Sequence, residues 1–245
     1  ITLDEALSEG LIEVIEKDEA GSVPELKVVN KSPCMVLILD GEELVGAKQN
    51  RIVNTTILIQ GKSTTVIPVS CVEQGRWAYE SRQFDSEDRL MAAQLRAEKS
   101  EQVHRSMRRS DGFRSDQTAI WNEISSRAER MEADSPTMAM AEIYKKKRSL
   151  LADYVEHFRL VDMQVGAVFM INGQVVGLDT FGKTETFGKV FRKLIESYAL
   201  DAIDWSEQES IGKTLKSNVT KFLWAANNAT MERHQSVGSG TNVRL

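Results

Sequence analysis

The sequence is poor in the residues that mark disulfide-stapled, fibrous or disordered chains. Its 245 residues include two cysteines, four prolines and 15 glycines. Two cysteines cannot supply the disulfide framework of a small secreted domain. So little glycine and proline, with no repeat, excludes a collagen-like or low-complexity chain. Since 41% of the residues are hydrophobic, the chain is long and apolar enough to fold around a sizeable core.

Long apolar runs and an excess of basic residues are also missing. No run approaches the roughly 18 residues that span a bilayer, so no membrane partner is expected. The net charge is −5, whereas nucleic-acid-binding domains are basic as a rule, so a nucleic-acid partner is not expected either. The only basic cluster, residues 104–114, has acidic neighbours and predicts a solvated connection between helices. The N-terminus lacks the pattern of a signal peptide, and the cytoplasm is the expected compartment.

The sequence shows no motif for a metal or a known cofactor. Cys34 and Cys71 lie in apolar, strand-like segments, which predicts two buried free thiols. His104, His157 and His234 have no metal-ligand spacing with one another or with the cysteines, so no metal site is predicted. No Walker A loop or dinucleotide glycine pattern occurs, which leaves the cofactor open.

The hydrophobic pattern alternates with a period of two in the first third of the chain. A short helix with Thr2 as its cap and Glu5 in a capping box begins the chain. Strands are predicted at residues 11–15, 25–30, 34–39, 51–59 and 64–73, separated by turn residues. Short strands at close spacing indicate an antiparallel sheet or sandwich.

The pattern becomes helical from about residue 85. Helices are predicted from residue 85 or 86, at 116–131 and from 135 to 158, as an insert packed on the sheet. Strands 165–171 and 174–178 form a hairpin through Asn172-Gly173. Helices at 182–200 and 207–224 and a terminal strand follow. The sequence thus predicts one α+β domain over 1–245, with a β-rich part (1–84), a helical insert (85–160), and a last part containing the hairpin, helices and terminal strand (161–245).

Two polar segments flank the predicted strands 51–59 and 64–73. A hairpin turning at Lys62 places Val53 opposite Cys71 and Arg51 opposite Glu73, all facing the core. A charge inside a core is costly unless it is paired. The register therefore predicts an ion pair between Arg51 and Glu73 at the open end of the hairpin.

These polar segments are the candidate ligand site. Cationic side chains would bind a phosphate or another anion, amide side chains would read a ligand by hydrogen bonds, and a carboxylate would act as general base. The candidate ligand-binding residues are Lys48, Gln49, Asn50, Arg51, Arg76 and Trp77, and the candidate bases are Glu73 and Glu42, with Glu43 beside it. No nucleophile with a neighbouring histidine accompanies them, which speaks against covalent catalysis. The alternative is a structural ion-pair network that staples the edge of the sheet.

Asp179 is a further candidate for ligand binding. It ends a predicted strand and precedes a predicted helix, a position where carboxylates often serve active sites. Aspartate is also an ordinary turn or helix-capping residue, and that alternative stays open.

Three blocks of the sequence carry a resemblance to a known family. They are GEELVGAKQNR, PVSCVEQGRW and VVGLDTFGKTETFGKVFRKLIESYALDA. Together they resemble the ARG and Rhodanese-Phosphatase-superfamily-associated protein domain, an uncharacterised prokaryotic family. The resemblance implies an association with ADP-ribosylglycohydrolase-type and phosphatase-type proteins, and hence nucleotide or ADP-ribose chemistry.

Two functions follow as hypotheses. In the first, residues 42–51 and 73–77 form a pocket for a phosphate-bearing small molecule such as a nucleotide or an ADP-ribose derivative, with hydrolysis as a further option. In the second, the protein is structural or binds partners without catalysis, and the helices of 85–160 form a homo-oligomer. Whether the protein is an enzyme stays open at this point.

Overall fold

Six helices and twelve strands make up the described part of the chain. The computed structural model describes residues 1–18, 21–206 and 216–245. In chain order the elements are α1 (Leu3–Ser8), β1 (Ile12–Glu16), β2 (Glu25–Asn30), β3 (Val36–Ile38), β4 (Glu42–Gly46), β5 (Arg51–Val53), β6 (Ile57–Ile59), β7 (Ser63–Cys71), β8 (Phe84–Leu90), α2 (Ala93–Arg108), α3 (Gln117–Arg130), α4 (Met140–His157), β9 (Gly166–Ile171), β10 (Gln174–Thr180), α5 (Thr184–Asp204), α6 (Lys216–Asn227), β11 (Glu232–Gln235) and β12 (Thr241–Arg244).

Six antiparallel strands close into a barrel. Their order around it is β1-β2-β7-β5-β4-β8, and β8 returns to β1 through the pairing of Val14 with Phe84. Three two-stranded sheets accompany the barrel: β3 with β6, β9 with β10, and β11 with β12. The predicted α+β class with an antiparallel core is confirmed. Because the sheet closes on itself, it has no free edge of the kind an open sheet leaves exposed.

Two local sequence signals set the chain geometry as predicted. The backbone N–H of Thr2 donates to Glu5 Oε2 at 2.9 Å, and the capping box of α1 is complete. Asn172 and Gly173 join β9 to β10 with φ values of 49° and 83°. Both values are positive, as a type I′ hairpin turn requires.

The core has an inner and an outer layer. Alternate residues of the barrel strands fill its interior, among them Val14, Val28, Val53 and Val69. Helices α2, α3, α4 and α5 cover the outside, where Ile52 packs in one cluster with their apolar faces. The predicted packing of the helical insert on the sheet is therefore what the structure shows.

The predicted hairpin 51–59/64–73 is wrong in its extent and register. The chain leaves the barrel after β5 at Asn54, whose side chain accepts a hydrogen bond from the Ser70 hydroxyl at 2.7 Å. The next strand, β6, pairs with β3 instead of β7. In the observed register Arg51 lies opposite Cys71, two residues from the predicted pairing. A shift of two residues keeps the same face inward, so Arg51 still enters the core.

The predicted helix start at residues 85–86 is also wrong. Residues 84–90 form β8, and α2 begins only at Ala93. Phe84 and Leu90 are buried at the two ends of a charged strand that pairs with β4 and closes the barrel. Tertiary pairing overrides the local helix signal here. Strands β4 and β11 were not predicted, and residues 207–215 of the predicted helix 207–224 lie outside the described residues.

Only one of the two cysteines is buried. Both are free thiols, but Cys34 is exposed and Cys71 is buried. The predicted strand 34–39 begins only at Val36, so Cys34 falls in the preceding loop. There its carbonyl accepts a hydrogen bond from Asn30 Nδ2 at 2.8 Å.

Buried ion pairs join the helices to the barrel. Lys193 on α5 is 1% exposed and contacts the carboxylates of Asp4 and Glu42. Lys99 on α2 is fully buried against Asp40. Such pairs add little net stability over apolar residues, but a carboxylate left alone by loss of its partner is strongly destabilising.

We expect Lys193→Met to lower the free energy of unfolding by about 3–5 kcal/mol, because it leaves the buried carboxyl group of Glu42 without its cationic partner. Urea denaturation measures this. The double variant Glu42→Gln/Lys193→Met recovers part of the loss. The control is Lys189→Met, which removes a half-exposed pair with Glu5 and changes stability by about 1 kcal/mol or less. If Lys193→Met and Lys189→Met lowered the free energy of unfolding by the same amount, this account of how α5 is held on the barrel would be contradicted.

Candidate functional site

Three connections meet at one end of the barrel, which we call the barrel mouth. They are β1–β2, β4–β5 (residues 47–50) and β7–β8 (residues 72–83). Antiparallel pairing places the ends of these strands side by side. The mouth thus gathers most of the sequence-predicted site residues, namely Lys48, Gln49, Asn50, Arg51, Glu73, Arg76 and Trp77.

Arg51 enters the barrel interior just below the mouth and is fully buried. Its Nη1 donates to the backbone oxygen of Gln49 at 3.0 Å and to the Oε1 of the same residue at 3.1 Å. Its Nε and Nη2 are buried and have no hydrogen-bond partner. Among the described residues no carboxylate oxygen lies within 4.0 Å of this guanidinium, so the predicted ion pair with Glu73 is wrong. Burial lowers the pKa of Arg51, but an arginine stays charged in proteins.

Cys71 lies opposite Arg51 on the neighbouring strand and is buried with it. Its thiol is within hydrogen-bond distance of Gln49 Oε1 at 3.2 Å and of the Glu73 carbonyl at 3.3 Å. Burial raises the pKa of the Cys71 thiol, outweighing the opposite effect of Arg51. The thiol is therefore neutral near neutral pH and does not balance the charge of Arg51.

Glu16 supplies a carboxylate on the same inward face of β1. It follows Ile12 and Val14 in the alternating pattern and is 7% exposed. Its Oε1 accepts a long hydrogen bond from the Lys48 backbone N–H at 3.4 Å, and its buried Oε2 has no partner. A carboxylate and a guanidinium that each retain unpartnered atoms thus lie below the same mouth.

Aromatic side chains cover the mouth from outside. Trp77 and Tyr79 are 49% and 54% exposed. The ammonium of Lys48 lies 5.3 Å from the ring centre of Trp77 and 4.9 Å from that of Tyr79. The guanidinium carbon of Arg51 lies 5.7 Å from the ring centre of Trp77. These distances are typical of cation–π contacts, and they make Trp77 the cover over Arg51.

Glu73 and Arg76 hold the rim together. Arg76 donates to Glu73 Oε2 from Nε at 2.9 Å and from Nη2 at 2.7 Å. The Thr137 hydroxyl donates to Oε1 at 2.8 Å and the Asn50 N–H to Oε2 at 3.1 Å. Burial raises the pKa of Glu73, but these hydrogen bonds outweigh it and leave the pKa below its ordinary value. This pair is thus an ion-pair staple.

Glu42 and Asp179 lie away from the mouth. Glu42 is at the opposite end of β4, between Lys193 and the Leu39 backbone N–H, and burial raises its pKa to about 6. Asp179 accepts two hydrogen bonds from Arg96, at 2.9 and 2.7 Å. Its Oδ2 also accepts one from Tyr198 at 2.8 Å. Both carboxylates fasten helices to strands, and neither faces the other candidates.

A groove of about 1210 Å³ opens beside the mouth. It is lined by residues from the barrel and from α4, including Gly46, Asn50, Glu73, Arg89, Thr137 and Tyr144. Sequence reasoning missed Glu16, Tyr79 and Thr137. The period-two pattern of Ile12, Val14 and Glu16 could have shown that Glu16 points inward, whereas the contact of Thr137 with Glu73 depends on tertiary packing.

We expect Glu73→Gln to lower the free energy of unfolding by about 2 kcal/mol at neutral pH, because it weakens charge-assisted hydrogen bonds. The folded-state pKa of Glu73 lies below its ordinary value of 4.5. Its stabilisation is therefore present above that pH and is lost as the pH falls through the lowered folded-state pKa. Urea denaturation at neutral pH and at a series of pH values below 4.5 tests this.

The control for this prediction is Glu80→Gln. Glu80 is the outer partner of Arg76 at 3.4 Å and is 70% exposed, so its removal has little effect on stability. If Glu73→Gln were as stable as Glu80→Gln at neutral pH, the structural role of the ion pair between Glu73 and Arg76 would be contradicted. A stability difference that does not narrow in acid would contradict the lowered pKa.

Comparison with known proteins identifies the family of the chain. Within the described residues, no helix combines the length and apolar character needed to cross a membrane. No curated protein and no solved structure matches the chain. Residues 1–245 match the sequence profile of ARPP-1, the ARG and Rhodanese-Phosphatase-superfamily-associated Protein domain. Because the match covers the whole of this sequence, the chain belongs to the ARPP-1 family.

Proposed function

We propose that the protein binds a small molecule with an anionic group at the barrel mouth, and that Arg51 receives this group. The observation that carries the proposal is the fully buried guanidinium of Arg51, whose Nε and Nη2 have no partner among the described residues. Burying a charge without a partner costs several kcal/mol. A ligand anion at this position would offset that cost.

The free atoms of Arg51 suit an oxyanion. Nε and Nη2 lie on one edge of the planar guanidinium, so their N–H groups point the same way and match two oxygens of a phosphate or carboxylate. Nη1 is already held by Gln49, which fixes the orientation of the fork. Lys48 adds a second positive charge at the rim, where its ammonium lies over the rings of Trp77 and Tyr79.

Trp77 decides how a ligand reaches Arg51. The ring covers the guanidinium, and residues 76–79 contain no helix or strand. In this proposal the segment swings outward to admit the ligand, and the aromatic pair then packs against its apolar part. A molecule with a phosphate and a ring system fits both parts of the site, since the phosphate would bind Arg51 and the ring system would pack against Trp77 and Tyr79. The family name points to ADP-ribosylglycohydrolase and phosphatase partners, so a nucleotide or an ADP-ribose derivative is our choice of ligand.

The geometry favours binding over hydrolysis. A general base needs a lone pair that is free to take a proton. Glu73 accepts four hydrogen bonds and Glu42 is bound to Lys193. If the site also hydrolyses its ligand, Glu16 is the better base in this proposal, since its Oε2 has no donor.

A second candidate function is self-association without catalysis. The end of α4 and the segment after it expose large apolar side chains: Leu150, Phe158, Leu160, Val161 and Met163 are between 47% and 79% exposed. This surface lies partly in the predicted insert 85–160 and partly in the segment after it, and it favours a homo-oligomer that uses both. Light scattering across a range of concentrations tests it, and a strictly monomeric chain would contradict it. The cytoplasm stays the proposed compartment for either function.

We expect Arg51→Met to weaken the binding of ADP-ribose or AMP by at least about 100-fold, because it removes two charge-assisted hydrogen bonds. Isothermal titration calorimetry measures the affinity. The control, Arg82→Met, changes an exposed arginine of the mouth segment and leaves the affinity close to that of the native chain. Thermal unfolding without ligand is measured in parallel. The melting temperature of Arg51→Met does not fall, since an unpaired buried charge is replaced by an apolar side chain.

Two results would contradict the proposal. If neither compound binds the native chain, the choice of ligand is wrong. If Arg51→Met binds as well as Arg82→Met while its melting temperature falls, Arg51 is a structural residue.

A further inference from the structure

The C-terminal hairpin and α2 form a second cluster of chemically active side chains, separate from the barrel mouth. His104 lies on α2, and Glu232 and His234 lie on β11. Residues two apart on a strand share one face, so Glu232 and His234 point in the same direction. The fold brings His104 to them across 128 residues of sequence, which explains why spacing along the chain gave no sign of the cluster.

Contacts of the neighbouring strand hold this cluster in place. On β12, Asn242 and Arg244 pair with His234 and Glu232 and share their face. Asn242 Nδ2 donates to the Thr55 hydroxyl at 2.8 Å, and Arg244 Nη1 donates to the Ser100 hydroxyl at 2.6 Å. Ser100 lies one helical turn before His104 on α2. The bond to Ser100 therefore fixes the hairpin against the helix that carries His104, and the bond to Thr55 ties the hairpin to the segment between β5 and β6.

The distances between the donor atoms suit a small divalent cation. His104 Nε2 lies 2.9 Å from Glu232 Oε2, and His234 Nε2 lies 3.6 Å from the same oxygen. Two ligand atoms bound tetrahedrally to zinc at about 2.0–2.1 Å are about 3.3 Å apart. Each of the three residues offers one ligand atom within 4.8 Å of those of the other two, so small side-chain adjustments would place them around one ion.

The chemistry of the three residues also points to a metal. His234 Nε2 is buried and has no hydrogen-bond partner. Arg108 Nε lies 3.5 Å from Glu232 Oε1, which orients the carboxylate and leaves Oε2 toward the histidines. The three side chains are between 21% and 35% exposed, so an ion can enter from solvent.

We propose that His104, Glu232 and His234 form a binding site for a divalent transition metal of the zinc class. Two imidazoles and one carboxylate are one of the ligand sets of three-ligand zinc sites, in which a fourth position stays open to water. The site goes beyond the proposed ligand binding at the mouth and does not depend on it.

Zinc titration of the untagged, metal-free chain tests the site, with calorimetry for affinity and Co²⁺ absorption for tetrahedral geometry. The native chain is expected to bind one equivalent of Zn²⁺. His234→Ala and Glu232→Gln are each expected to bind at least about 100-fold more weakly, more than the usual loss from an outer-shell change. The control, His157→Ala, removes the exposed histidine of α4 and keeps the native affinity.

Circular dichroism verifies the fold of each variant. His104→Gln is a further ligand variant, and its substitution on α2 leaves the sequence of the hairpin unchanged. It is expected to lose binding in the same way. The proposal is overturned if the native chain binds no Zn²⁺, or if folded His104→Gln or His234→Ala binds as tightly as His157→Ala. Weak binding of equal strength by all variants would show adventitious zinc only, and would also overturn it.

Discussion

A closed six-stranded barrel has one interior, and every second residue along each strand must enter it. Most inward positions of this barrel hold branched apolar side chains such as Val14, Val28 and Val69. At the mouth the same alternation carries Glu16, Arg51 and Cys71 inside. Because the closed sheet has no free edge, these polar side chains cannot turn from the interior toward solvent at an edge strand. The chemistry of the mouth is therefore a direct result of barrel closure.

The other buried charges show how unusual Arg51 is. Lys99, Lys193 and Arg127 are all buried, and each contacts at least one carboxylate. These ion pairs fasten helices to the barrel or to one another. Arg51 is as deeply buried, yet among the described residues its guanidinium has only Gln49 and Asn50 as hydrogen-bond acceptors. A fold that pairs its structural charges and leaves this one unpaired supports a role for Arg51 in binding.

Sequence reasoning reached the local features and missed those set by tertiary pairing. The capping box of α1 and the Asn172-Gly173 turn depend on adjacent residues, and both were predictable. The inward face of Arg51 was also predictable from alternation, but its partner was not, because the register depends on where Asn54 ends β5. The strand β8 was not predicted, because its charged composition does not indicate a strand and only its pairing with β4 and β1 makes it one. The cluster of His104, Glu232 and His234 joins two segments that are far apart in the sequence, so no local sequence pattern indicates it.

The most direct test of the account is a crystal structure of the protein with bound ADP-ribose. The account predicts that Trp77 has moved outward and that two anionic oxygens accept hydrogen bonds from Nε and Nη2 of Arg51. A structure in which the ligand lies elsewhere, with Nη2 of Arg51 bonded to the carboxylate of Glu16, would contradict it. In that case the charge would be balanced within the protein, and the mouth would be an ion-pair staple throughout.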